Sequence, residues 1–279
     1  MELLWNLGFG IWSFNLRRVI QALKTFWPWL AAISSGLLLT ACFPPFDVSW
    51  LCWLALTPLI AAIWFSGEDS KRRWLRNLLL GYVAGVVFFT AAFSWFGALG
   101  NLYQSFFLHG LSFLLSIYLG MHFAFWTWFI GLVRPIHFLS SWRNLLIAFL
   151  AASAWVAHEW VRGWLFSGFG WNGLGVALHA NWPLIQVAQF TGATGISFAI
   201  AFANMIALTT AVRLFSETRS RQMRAHFDLT LTMLGIVALF SFSIHSVQNP
   251  SPCKPLRVAA VQANVPQLQK FDPQFTAGI

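Results

Sequence analysis

Charge is what this sequence has least of. Asp, Glu, Lys and Arg make up 9% of its 279 residues, against roughly a quarter in soluble domains. A chain so poor in charge cannot clothe a water-exposed globule, and 58% of it is hydrophobic. Cysteine is rare too. Cys42, Cys52 and Cys253 form no C-x-x-C or metal-ligand spacing, so neither a disulfide framework nor a zinc site is expected. The first residues lack a Lys or Arg ahead of an apolar run and a small-residue cleavage site, so no removable signal peptide is expected.

What is present is aromatic and apolar. The 29 Phe and 17 Trp suit a lipid-facing surface with aromatic residues at the headgroup level. A membrane span needs about 20 mostly apolar residues. Seven stretches fit: Phe26–Cys42, Val48–Phe65, Leu75–Leu99, Gly110–Val133, Leu145–Phe166, Gly195–Val212 and Leu229–Ser246. Leu3–Phe14 is apolar but short and precedes Arg17, Arg18 and Lys24, which reads as an interfacial helix. The expected fold is an all-α polytopic bundle of about seven transmembrane helices.

The formal charge of +9 raises the question of a nucleic-acid partner. Topology answers it. Lys and Arg collect on the cytoplasmic side of membrane proteins. With the N-terminus inside, that side holds Arg17, Arg18, Lys24, Lys71, Arg72, Arg73, Arg76, Arg134, Arg143, Arg213, Arg219, Arg221 and Arg224. Only Arg162, Lys254, Arg257 and Lys270 of the 17 basic residues fall outside. Lipid topology thus accounts for the basic balance, no nucleic acid is implied, and the C-terminal segment is expected on the extracytoplasmic face.

Several motifs mimic chemistry. Gly168–Gly173, "GFGWNG", has the letters of a dinucleotide loop, but an apolar helix precedes it where a strand is required. "HEWVR" starts like a zinc-protease motif and has Arg162 where the second histidine belongs. The "NPS" at Asn249 carries Pro at the position that forbids glycosylation. Gly81-x-x-x-Gly85 reads as a helix-packing face. Glu159 and Arg162 are the stronger signal. Three apart on one helix face, they could pair. Glu159 lies about 21 Å from the inner edge of its span at 1.5 Å per residue, in the outer third of the core. Ionisable groups inside a membrane point to function, although a structural ion pair would use the same residues. The Gly- and Trp-rich stretch near 165–194, with Trp164, Trp171 and Trp182, reads as a surface or re-entrant loop walling a lipid-access site.

Four segments in order carry a resemblance. They are "ACFPPFDVSWLCWLALTPLI", "WVAHEWVRGWLFSGFGWNGLG", "IQVAQFTGATGISFAIAFANMI" and "RVAAVQANVPQLQKFD". Together, from about Trp29 to Asp272, they resemble bacterial apolipoprotein N-acyltransferase. That resemblance implies an N-terminal cytoplasmic or interfacial segment (1–25), a membrane bundle (26–247), a linker (248–255) and the start of a nitrilase-like α/β sandwich (256–279), with Val258–Val261 as its first strand. It implies a multi-pass protein of the bacterial inner membrane. It also implies transfer of a phospholipid acyl chain, through a cysteine thioester, to the α-amine of an apolipoprotein's N-terminal diacylglyceryl-cysteine, with no cofactor. The family's catalytic Glu, Lys and Cys would lie beyond Ile279, so the 279 residues are expected to be the membrane half, truncated before the active site and inactive alone. Lys270 matches the lysine of a Lys-Trp-Asp element, with Phe271 in place of Trp. Candidate substrate-binding residues are Glu159, Arg162, Trp171, Asn172, Gln262, Asn264, Lys270 and Phe271. A transporter is the competing reading, and it would want mid-bilayer polar residues and matching halves; neither is evident. A non-catalytic membrane stub is the other.

Overall fold

The computed structural model describes residues 25–67, 71–134, 140–220, 225–248 and 256–262, and most of these are helical. Helix is what lipid imposes, because a backbone without water must satisfy its own N–H and C=O groups. The helices are α1 Thr25–Ala41, α2 Thr57–Phe65, α3 Arg73–Ala92, α4 Phe96–Leu102, α5 Phe106–Leu132, α6 Ser141–Arg162, α7 Trp182–Ile185, α8 Ala188–Ser220 and α9 Phe227–Gln248.

Five of them, α3, α5, α6, α8 and α9, are long and apolar enough to cross a membrane. The other two expected spans are shorter. One is α1 and the other, Ser49–Phe65, is a 3-10 turn at Ser49–Trp53 followed by α2. Leu75–Leu99 does not run through either: α3 stops at Ala92, turns at Phe93–Trp95 and resumes as α4. The last helices are longer than expected, and α8 is broken near its start at Gly192, whose φ is +64°.

Successive segments run up and down. One end of the bundle therefore collects the turns after α1, α3 and α6. The opposite end collects the turns after α2, α5 and α8. Close packing of α3 on α5 needs glycine. A Cβ on Gly81 would fall 2.0 Å from Thr127 Oγ1, and one on Gly85 would fall 2.8 Å from the Gly120 Cα. This is the Gly-x-x-x-Gly face expected above, and it lets the two backbones approach. Indole N–H groups tie further pairs: Trp64 Nε1 donates to the Ile130 carbonyl at 3.0 Å and Trp126 Nε1 to the Ala151 carbonyl at 2.9 Å.

The interruption at Leu54–Leu56 would leave backbone groups unpaired in the core. Asn204 of α8 satisfies them. Its Oδ1 accepts from the Leu56 amide at 2.9 Å and from Thr57 Oγ1 at 3.2 Å, and its Nδ2 donates to the Cys52 carbonyl at 2.8 Å. At the end of the bundle that carries Arg73 and Arg76, Arg213 of α8 is buried against Asp228 of α9. Its Nη1 lies 2.8 Å from both carboxylate oxygens and 3.0 Å from Ser141 Oγ, and its Nη2 donates to the Ala225 carbonyl at 3.1 Å. Arg213, assigned above to the cytoplasmic side, is only 1% exposed.

The expected strand at Val258–Val261 does not form. Residues 256–262 are irregular and exposed, and a strand needs a ladder partner. None of the described residues supplies one.

Candidate functional site

The expected loop near 165–194 is a compact cap. A 3-10 turn at Leu165–Ser167, a second at Leu174–Leu178 and α7 follow the end of α6. Leu174, Ala177 and Leu178 are buried, whereas Trp164, Trp171 and Trp182 point outward, more than half exposed. Two contacts seat the cap. The Gly175 amide donates to Ser197 Oγ at 2.7 Å, and a Cβ on Gly175 would strike the Ala193 carbonyl at 2.1 Å. The Gly168–Gly173 motif thus follows α6 and no strand, so the dinucleotide reading fails on its context.

Beneath the cap, between α1, α3, α5 and α6, is a small cavity of about 30 Å³ whose wall includes His122, Trp155, His158, Glu159, Arg162 and Asn172. Phe43 and Asn172 also line a larger groove of about 710 Å³ with Pro44, Pro45, Trp95 and Trp171, so the two spaces adjoin. Trp95 and Trp171 stack at 5.7 Å across that groove. Asn172 sits at the junction with φ +53°, a conformation that Asn tolerates better than most side chains.

Glu159 and Arg162 both line the cavity, but they do not pair. Glu159 Oε1 accepts from Trp155 Nε1 at 2.9 Å and from the Leu174 amide at 2.6 Å. The carboxylate therefore pins the first amide of a 3-10 turn to α6, a charge-assisted bond. The Arg162 guanidinium lies 5.2 Å from the ring centre of Phe89, with the Glu159 charge acting on it from beyond ion-pair distance. The residue is 4% exposed and its Nε has no hydrogen-bond partner. Helical spacing put the two residues on one face, and the choice of partner then separated them.

Sequence reasoning missed three more polar groups here. Tyr118 and His122 are one turn apart on α5, their rings 5.6 Å apart. His122 and His158 face each other across α5 and α6 at 6.2 Å. The Tyr118 hydroxyl is buried without a partner. A histidine inside an otherwise apolar 27-residue helix is a signal that could have found them.

Of the other candidates, Trp171 and Asn172 belong to this region. Gln262 lies in the exposed segment 256–262 and lines neither space. Asn264, Lys270 and Phe271 lie outside the described residues.

A bundle of long apolar helices with a roofed cavity at one end, its mainly apolar wall carrying His122, His158, Glu159, Arg162 and Asn172, defines a polytopic membrane protein. Its sequence relatives make the assignment specific. The family model described as apolipoprotein N-acyltransferase N-terminal domain matches residues 35–206. An apolipoprotein N-acyltransferase of Geobacter metallireducens is 31% identical over 88% of this chain and 45% of its own length. One from Haemophilus influenzae is 28% identical over 94% and 48%, and one from Methylococcus capsulatus 28% over 88% and 45%. The chain belongs to the apolipoprotein N-acyltransferase family, corresponding to its N-terminal part, and spans about half the length of the curated relatives it matches.

Proposed function

We propose that these residues form the membrane part of an acyltransferase that moves an acyl chain from a phospholipid to the α-amine of a diacylglyceryl-cysteine at the N-terminus of an apolipoprotein. The roofed cavity at the end of α6 holds the donor lipid, and the adjoining groove along Trp95 and Trp171 leads to it. The observation that carries this reading is that the cavity and the groove share Phe43 and Asn172 in their walls in a chain of this family. The protein lies in the bacterial inner membrane with the basic end of the bundle cytoplasmic and the cap extracytoplasmic, and Ser49–Phe65 and α1 complete seven crossings. Residues 248–255 link the bundle to a nitrilase-like domain that 256–279 begin.

Thioester chemistry needs a thiolate, a base and an oxyanion stabiliser within hydrogen-bond reach. Cys42 and Cys52 cannot provide it, because both are wholly buried in the bundle, and Cys253 has no acid between Asp228 and Asp272 to serve as its base. The 279 residues therefore insert in the membrane but transfer no acyl group alone, and fusion to a nitrilase-like domain carrying the Glu, Lys and Cys series restores transfer. The test is an assay of phospholipid-to-diacylglyceryl-peptide transfer by the short chain, by the fusion and by the short chain with Cys253→Ser. Transfer by the short chain that vanishes in Cys253→Ser would overturn the reading. Orientation has its own check. A cysteine at Ser220 should label only after permeabilisation and one at Ser167 from outside; the reverse pattern would invert the topology.

A further inference from the structure

We propose that Arg162, with Tyr118, His122 and His158, forms a phosphate site that takes the phosphodiester of a membrane phospholipid. The proposal rests on the donor-lipid reading above and names the part of the lipid that this end of the cavity recognises.

The argument begins with an unpaired charge. A guanidinium removed from water costs several kcal/mol unless an anion meets it, and arginine stays protonated in proteins. Arg162 is 4% exposed and its Nε lacks a hydrogen-bond acceptor. The contact with Phe89 at 5.2 Å offsets part of this cost, but an aromatic face takes up no directed N–H bond in the plane of the guanidinium. Glu159 is the nearest acid on the same helix. No ion pair joins it to Arg162, and its Oε1 is already engaged by Trp155 and Leu174.

The neighbours of Arg162 add donors. The Tyr118 hydroxyl is buried and unbonded, and Tyr118 contacts the His122 ring. His122 and His158 line the same cavity as Arg162. No described side chain or carbonyl is hydrogen-bonded to either imidazole, and a neutral imidazole still offers one N–H. A guanidinium fork and two imidazoles around one space, with the Tyr118 hydroxyl behind His122, suit a tetrahedral oxyanion, and arginine is the residue that pairs with phosphate oxygens two at a time.

Position selects lipid phosphate. Arg162 is the last residue of α6, a helix of 22 residues, or about 33 Å at 1.5 Å per residue. The hydrocarbon core is about 30 Å thick, so a helix that crosses it places its last side chain at the level of the headgroup phosphates. Phe125, stacked on His158, and Phe166, packed on Tyr118, are 53% and 82% exposed on the flank of the site, where acyl chains would lie.

The test uses the full chain, purified in a phosphate-free non-ionic detergent, with retained lipid read by native mass spectrometry. The probes are phosphatidylethanolamine, phosphatidylglycerol, diacylglycerol with the same acyl chains, and inorganic phosphate. Both phospholipids should be retained at least about tenfold better than diacylglycerol, a difference of about 1.4 kcal/mol. Arg162→Gln should erase that preference and leave diacylglycerol retention unchanged. Arg162→Lys should keep part of it, and Tyr118→Phe should weaken it a few-fold. Should Arg162→Gln not fold, the last two variants decide, and an undiminished preference in both would overturn the site. Equal retention of phospholipid and diacylglycerol by the unaltered chain would also overturn it. Displacement of phospholipid by inorganic phosphate would assign the site to the free ion and overturn the lipid assignment. Failure of the nitrilase-domain fusion to transfer an acyl group, with phosphate preference intact, would sink the proposed enzyme function alone.

Discussion

Two arginines are buried in this bundle, at opposite ends, and they are treated differently. Arg213 is 1% exposed and meets a carboxylate, a hydroxyl and a carbonyl, leaving only its Nε without a partner. Asp228 in turn accepts from Asn144 Nδ2 at 2.8 Å. Arg162 is 4% exposed and meets an aromatic face, with a buried hydroxyl and two imidazoles nearby but no anion in contact. The first arrangement is complete within the protein and locks α6, α8 and α9 together. The second is incomplete. A buried charge that the chain itself neutralises is architecture, and one that it leaves open beside a cavity is a place for a ligand.

The comparison can be broken most severely at the closed end. Asp228→Ala leaves Arg213 buried and unpaired and should cost about 3–5 kcal/mol, measured as loss of folded protein and a lower unfolding midpoint in detergent. Asn204→Ala should follow at about 1–3 kcal/mol, because the Leu56 amide and the Cys52 carbonyl lose their partner where no water can replace it; hydrogen exchange should rise first around Leu54–Thr57. Glu159→Ala should cost a similar or smaller amount, about 1–2 kcal/mol, with exchange rising at Leu174 as the cap loosens. The milder Glu159→Gln keeps an acceptor for both bonds. In a transfer-competent longer chain, it should still lower activity or folded protein more than Glu2→Gln does; equal behaviour of the two variants would remove Glu159 from the site. Smallest of all should be Arg162→Gln without lipid, within about 0.5 kcal/mol or stabilising, because no ion pair is broken.

Much of this contrast could not be read from the sequence. The seven apolar segments each fall on a helical segment, since lipid compatibility is a property of composition and length. The break in Ser49–Phe65 was hidden because apolar residues continue through it. Only Asn204, 148 positions from Leu56, makes the break tolerable, and long-range partners leave no local trace. The Glu159–Arg162 spacing was legible and its outcome was not: the Leu174 amide and the Phe89 ring, both brought in by tertiary packing, decide where each side chain turns. The burial of Arg213 was hidden for the same reason, its acid lying beyond a turn in the next helix. His122 was the avoidable miss, being a polar residue in plain view within an apolar run. The apolar run Val258–Val261 suggested a strand, but a strand is defined by its partner.

The central claim is that an anion from lipid completes Arg162 as Asp228 completes Arg213. The direct measurement is the shift in unfolding midpoint on adding phosphatidylethanolamine to lipid-free protein, compared between the unaltered chain and Arg162→Gln. A ligand that binds only the folded state stabilises it in proportion to the logarithm of its concentration over Kd, by about 2.7 kcal/mol at a hundredfold excess. The unaltered chain should gain a concentration-dependent shift that diacylglycerol does not give, and Arg162→Gln should show none beyond the diacylglycerol level. An equal phospholipid shift in both proteins would contradict the claim and leave Arg162 as a structural charge held by Phe89 alone.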